Sequence, residues 1–133
     1  MKIILDVNVI LSALIRDSTI RKIILNSEFD FYFPEPSLHK IRKYQSYTLE
    51  KSGLSEEEYN KVMAILFKYI RLVPTGEIEK HWGEAKKIIE QIDPEDVVFI
   101  AAALSITSSV IWSDDRHFEK QDKVKVLKTK EIV

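Results

Sequence analysis

Apolar residues along this chain switch between two rhythms. Lys2–Leu5 is a short run dominated by Ile and Leu, the pattern of a strand buried on both faces. Asp6 closes it, and Val9, Ile10, Ala13 and Leu14 then recur at helical spacing. Ser18 is an N-cap candidate for a second amphipathic helix carrying Ile20, Ile23, Ile24 and Leu25. Residues 29–33 alternate aromatic and polar side chains as a strand does, and Pro34 and Pro36 end that run. A helix is predicted from Ser37, broken near Ser52 and Gly53. Ser55 followed by Glu58 is a capping box that opens a helix over 56–70.

The second half repeats the alternation. Residues 71–74 predict a strand, and 77–91 a helix with Ile78, Trp82, Ala85, Ile88 and Ile89 near one face. Asp93-Pro94 restarts the chain as cap and first helical residue. The helix over 94–105 is almost wholly apolar after Asp96, which predicts a central, covered position. Ser109–Trp112 and residues 123–127 complete the strands, and Thr129–Ile132 predicts a last helical turn. Strands alternating with helices imply parallel pairing through crossovers. The expected fold is a three-layer α/β/α sandwich around a mainly parallel sheet, one domain over 1–133, with no repeat, linker or low-complexity segment.

Composition narrows the chemistry. The 133 residues include no cysteine, which removes disulfides, thiol nucleophiles, zinc–thiolate sites and iron–sulfur clusters. A balance of 20 Lys+Arg against 21 Asp+Glu argues against holding nucleic acid by bulk positive charge alone. No apolar stretch approaches the roughly 20 residues needed to cross a bilayer. Asp6 and Asn8 interrupt the N-terminal apolar run, so no secretion signal is read there. The expected compartment is the cytoplasm.

Acids fall where such a fold places ligands, beyond the carboxyl ends of its strands. Asp6 follows the first strand, Asp114 and Asp115 follow Trp112-Ser113, and Asp96 sits in the first turn of the apolar helix. Carboxylates gathered in one cleft repel one another, and a hard divalent ion with oxygen ligands relieves that repulsion. Each acid also has an ordinary explanation taken singly: Asp6 and Asp93 as helix caps, Asp96 as a dipole partner, Asp114-Asp115 as a turn. Their shared location favours the joint assignment.

Taken in order, three segments resemble the PIN domain, a nuclease fold found in many bacterial and archaeal toxins. They are Leu5-Asp6-Val7-Asn8-Val9-Ile10, the stretch from Asp96 to Leu104, and Trp112-Ser113-Asp114-Asp115-Arg116-His117-Phe118. The resemblance spans essentially the whole chain. It implies Asp6, Asp96 and Asp115 as catalytic, metal-binding carboxylates, with Asp114 as a further metal ligand or only added charge. It implies that Ser113 hydrogen-bonds within the acidic group and that Asn8 orients Asp6 or a water. The activity implied is cleavage of single-stranded RNA with Mg2+ or Mn2+. An antitoxin protein and a second copy of the chain in a homodimer are the implied partners, and no membrane.

One position departs from the family pattern. Lys40, in Ser37-Leu38-His39-Lys40-Ile41-Arg42-Lys43-Tyr44, stands where the family usually carries a further Glu. A cation there opposes a metal ion by ordinary charge repulsion. Glu35 is the substitute acid if its loop bends inward. Lys40, Arg42 and Lys43, with Tyr44 and Tyr47 beside them, are candidate contacts to an RNA backbone, against the plainer assignment of a solvated helix face. His39 and His81 are read as structural or surface residues, His117 as a surface residue or, following the Asp pair, one that approaches a phosphate, and Trp82 and Trp112 as core. Two functions follow, a metal-dependent ribonuclease or a catalytically silent PIN-like module that binds RNA or protein. A haloacid-dehalogenase-like phosphohydrolase fits less well, because Asn8 and Ile10 replace its second Asp and its Thr.

Overall fold

A computed structural model describes all residues 1–133. The first strand, β1 (Lys2–Leu5), has Ile3, Ile4 and Leu5 fully buried, as a central strand covered on both faces requires. Helices α1 (Val7–Ala13) and α2 (Thr19–Asn26) lead to β2 (Asp30–Pro34). Next come α3 (Leu38–Lys43), α4 (Gln45–Ser52), α5 (Glu56–Tyr69) and β3 (Ile70–Val73). The remainder is α6 (Thr75–Lys80), α7 (Trp82–Ile89), α8 (Val97–Ser105), β4 (Ser109–Trp112), β5 (Val126–Leu127) and α9 (Thr129–Ile132).

The sheet order is β3-β2-β1-β4-β5 and every pairing is parallel, so the sheet is wholly rather than mainly parallel. Leu5 registers with Trp112, and Asp6 N–H donates to Trp112 C=O at 3.2 Å. The strand order therefore reverses beside β1, and the crevice beyond β1 and β4 is the switch point where open α/β sheets bind ligands. Helices α1, α2 and α5 pack together, and α6 and α7 pack on α8, which lies against β1, β2 and β4. Right-handed crossovers place these two groups on opposite faces of the sheet. The run from Val97 to Ala103 is buried throughout, which makes α8 the central helix that its composition predicts.

Several element boundaries differ from the sequence expectation, each for a local reason. The helix expected from Ser37 starts as a 3-10 turn, Glu35–Ser37, and breaks again at Tyr44 (φ −96°, ψ 6°). The bend keeps both Ile41 and Thr48 buried. The helix expected over 77–91 likewise breaks at His81, so α6 and α7 each pack on α8, and Trp82 is left 40% exposed rather than in the core. The strand expected over 123–127 shrinks to Val126–Leu127, because the Gln121 side-chain carbonyl accepts from the backbone N–H of Lys123 and of Val124 and holds them in a turn. At α4, Gly53 ends the helix in the left-handed region at φ 75°, a backbone glycine adopts without Cβ strain.

The capping box of α5 has both of its bonds. Glu58 N–H donates to Ser55 Oγ at 3.1 Å, and Ser55 N–H donates to the Glu58 carboxylate at 3.0 Å. Ser55→Ala is expected to cost about 1 kcal/mol of stability. A lowered urea midpoint with unchanged slope checks this.

Candidate active site

Asp6 leaves β1 at the switch point, and its side chain turns inward instead of capping α1. The carboxylate is buried, and Ser113 Oγ, at the end of β4, donates to Asp6 Oδ2 at 2.7 Å. The same hydroxyl oxygen accepts from Asp115 N–H at 3.0 Å. Ser113 thus ties the first acid to the backbone of the last. Burial pushes the Asp6 carboxyl above its ordinary range, against the lowering effects of the Ser113 bond and the Lys40 charge.

Asp96 reaches the crevice from the turn preceding α8. Its side chain is 9% exposed, and Oδ2 has no hydrogen-bond partner. Burial, reinforced by the negative charges of Asp93, Asp115 and Asp6, raises its carboxyl from 3.8 to about 7. A buried acceptor with no partner and several like charges around it is costly without a cation. The donors are hard oxygens, so the chemistry of the group fits Mg2+ or Mn2+.

Two residues read from sequence as ordinary belong to this group. Asp93 does cap the Pro94–Asp96 turn, with Oδ1 accepting from Glu95 N–H at 2.9 Å. Its other oxygen, Oδ2, lies 2.8 Å from Nδ1 of His117. That nitrogen is also 3.3 Å from Asp115 Oδ1 and 3.8 Å from Asp96 Oδ2. One potential ligand atom from each of Asp93, Asp96, Asp115 and His117 lies within 4.8 Å of all the others. The signal that points to Asp93 is its spacing. Asp93 caps the 3-10 turn that Asp96 ends, and both side chains line the same cavity. For His117, Asp115 Oδ1 accepts from its backbone N–H at 2.9 Å, which folds the ring back over the acids.

Other candidates are placed elsewhere. Asp114 does not join this group, because its carboxylate accepts from Thr129 N–H at 2.9 Å and from Thr129 Oγ1 at 2.6 Å. Thr129 Oγ1 in turn accepts from the indole N–H of buried Trp112 at 2.9 Å, so Asp114 ties α9 to β4. Glu35 also stays away from the acids, since Thr75 N–H and Thr75 Oγ1 donate to it at 3.2 and 2.9 Å. Asn8 is exposed on the wall of a cavity of about 540 Å³ that also receives Asp6, Asp93, Asp96 and Asp115.

Lys40 lines the same cavity, with Nζ 5.7 Å from the centroid of the Phe99 ring. Tyr44, Tyr47 and Lys51 also line this cavity, and Lys51 Nζ lies 5.6 Å from the Tyr47 ring. Arg42 and Lys43 are exposed on α3 outside the cavity lining. A pocket of carboxylates with a basic, aromatic approach has the charge arrangement for a phosphodiester whose backbone is gripped outside the acidic centre. The model of one known family, described as PIN domain, matches residues 4–132. No curated protein matches the chain.

Proposed function

The chain belongs to the PIN domain family, whose members are generally nucleases, and on that premise we propose that it is a metal-dependent endoribonuclease acting on single-stranded RNA. The observation that carries this is the meeting of Asp6, Asp96 and Asp115 in one cavity, with buried Asp96 Oδ2 lacking any hydrogen-bond partner. Asp6, Asp96 and Asp115 would hold the cation. When bound, Mg2+ or Mn2+ supplies a Lewis acid for phosphate and lowers the pKa of water.

The chain's own residues do the rest. Ser113 fixes the orientation of Asp6 through its 2.7 Å hydrogen bond and so keeps one oxygen directed by the fold. Asn8 offers a side-chain amide on the cavity wall to substrate or water. Lys40 gives the substrate phosphate a cation beside the acids, and Tyr44 and Tyr47 present ring faces on which bases stack. Arg42 and Lys43 contact phosphates further along the strand. In a single-stranded RNA assay with Mn2+, Asp6→Asn is expected to lower the cleavage rate by at least about a hundredfold. Equal rates in the two proteins would sink the proposal.

Lys40 favours one alternative, a catalytically silent member that binds RNA or a protein, since its charge stands beside the acids. Calorimetric titration with Mn2+ separates the two. Stoichiometric binding that disappears in Asp96→Asn counts against the silent module. A toxin role, with a homodimer and an antitoxin partner, is a narrower version of the same proposal. Exposed Ile65, Tyr69 and Leu72, on α5 and the edge strand β3, support a protein contact. No helix is long and apolar enough to cross a membrane.

A further inference from the structure

We propose that the cation is held by a mixed nitrogen and oxygen site, Asp93, Asp96, Asp115 and His117, which selects a first-row transition cation such as Mn2+ over Mg2+. The inference rests on the metal-dependent function above, keeps Asp96 and Asp115 as ligands, and replaces Asp6 in that set by Asp93 and His117. Four donors converge there, and two of them, Asp93 and His117, lie outside the carboxylate set that the motifs mark.

Two independent observations carry it. The first is the span of the donors. Ligands on opposite sides of a cation with bonds of about 2.1 Å stand about 4.2 Å apart. The four atoms lie within 4.8 Å of one another, so the set closes on one ion with small side-chain movement. The second is the missing hydrogen bonds. Asp96 Oδ2 and His117 Nδ1 are both buried without a hydrogen-bond partner, although they are only 3.8 Å apart. Nδ1 also approaches Asp93 Oδ2 at 2.8 Å without lining up for a hydrogen bond. An unpartnered carboxylate oxygen that faces an imidazole nitrogen crowded by two further carboxylates is placed for a shared cation.

The chemistry of the donors decides the ion. Mg2+ takes oxygen ligands and gives up its water reluctantly, whereas imidazole nitrogen suits transition cations. Lys40 adds to the choice of position. Its charge acts on Asp6, which is not among the four donors, so the cation is favoured among the other acids.

The test is electron spin echo spectroscopy of the full chain loaded with one equivalent of Mn2+. A coordinated imidazole gives nitrogen modulation, which should be present in the wild type and change in form when histidine alone is labelled with 15N. His117→Gln should remove the modulation and weaken Mn2+ binding about tenfold or more. His39→Gln, whose ring contacts the Pro36 carbonyl instead, should retain it. Competition should show Mg2+ binding at least about tenfold more weakly than Mn2+. The wild-type spectrum decides the matter even if His117→Gln does not fold. Bound Mn2+ without nitrogen modulation overturns the mixed site and leaves the hydrolytic function standing. Failure to bind Mn2+ at all overturns both.

Discussion

Asp96→Asn is expected to abolish Mn2+-dependent RNA cleavage while making the cation-free protein more stable at pH 8. Both effects have one cause. In the folded chain the Asp96 carboxyl is raised from 3.8 to about 7 by burial and by the charges of Asp93, Asp115 and Asp6. Over that interval the folded state keeps a proton that the unfolded state has given up. Stability of the cation-free wild type therefore falls as pH rises through the interval, and levels off above about 7. Asparagine has nearly the same shape and carries no charge. Its stability should be flatter across the same window and higher by about 1–3 kcal/mol at pH 8. Added Mn2+ should stabilise the wild type and leave the variant unchanged, because a ligand that binds only the folded state shifts the equilibrium by mass action. Urea denaturation at pH 5 and pH 8, with Mn2+ and with chelator, measures all of this. A variant less stable than wild type at pH 8 without metal would show that Asp96 is a structural partner.

Lys40→Glu is the second large effect, and it separates two processes that the wild type combines. Replacing a cation by an anion beside Asp6 changes the local charge by two units within one cavity. Even well-screened charges at such range interact by about 1–2 kcal/mol, so divalent-cation affinity should rise about tenfold or more. RNA affinity should fall, since the same side chain is the assigned phosphate contact. Calorimetry gives the first quantity, and binding of labelled RNA in the presence of Ca2+ gives the second. If Lys40→Glu leaves cation affinity unchanged, Lys40 does not face the cation site. If RNA affinity is unchanged, the phosphate contact assigned to Lys40 is wrong.

The sequence carries the outline of the fold because its strongest signals are local. The apolar run of β1, the capping box at Ser55 and the continuous apolar stretch of α8 each fix an element without help from the rest of the chain. The breaks at Tyr44 and His81 were not legible. They come from packing against α1 and α8, contacts between residues remote in sequence. Trp82 follows the break at His81 directly and is 40% exposed, although an unbroken helical pattern assigns it to the core.

The site divides in the same way. Asp6, Ser113 and Asp115 sit at strand ends, and parallel pairing of β1 with β4 brings such positions together whatever the other residues are. Asp114, adjacent to Asp115, takes the variable position of its motif, which leaves a further ligand and mere added charge both open. Its separation depends on Thr129, fifteen residues on, which takes up both carboxylate oxygens. Glu35 is removed from contention by Thr75 in the same manner, forty residues away. His117 has no sequence pattern of a ligand. Only the turn that bonds its N–H to Asp115 carries its ring over the acids.

Anomalous scattering from a crystal soaked in Mn2+ tests the central claim most directly. A metal peak within the cavity, in contact with Asp96 and Asp115 and with the Lys40 ammonium turned away from it, is the expected result. An empty cavity in which the Lys40 ammonium reaches between Asp6 and Asp96 would contradict a metal-dependent nuclease and leave the silent module as the function of this chain.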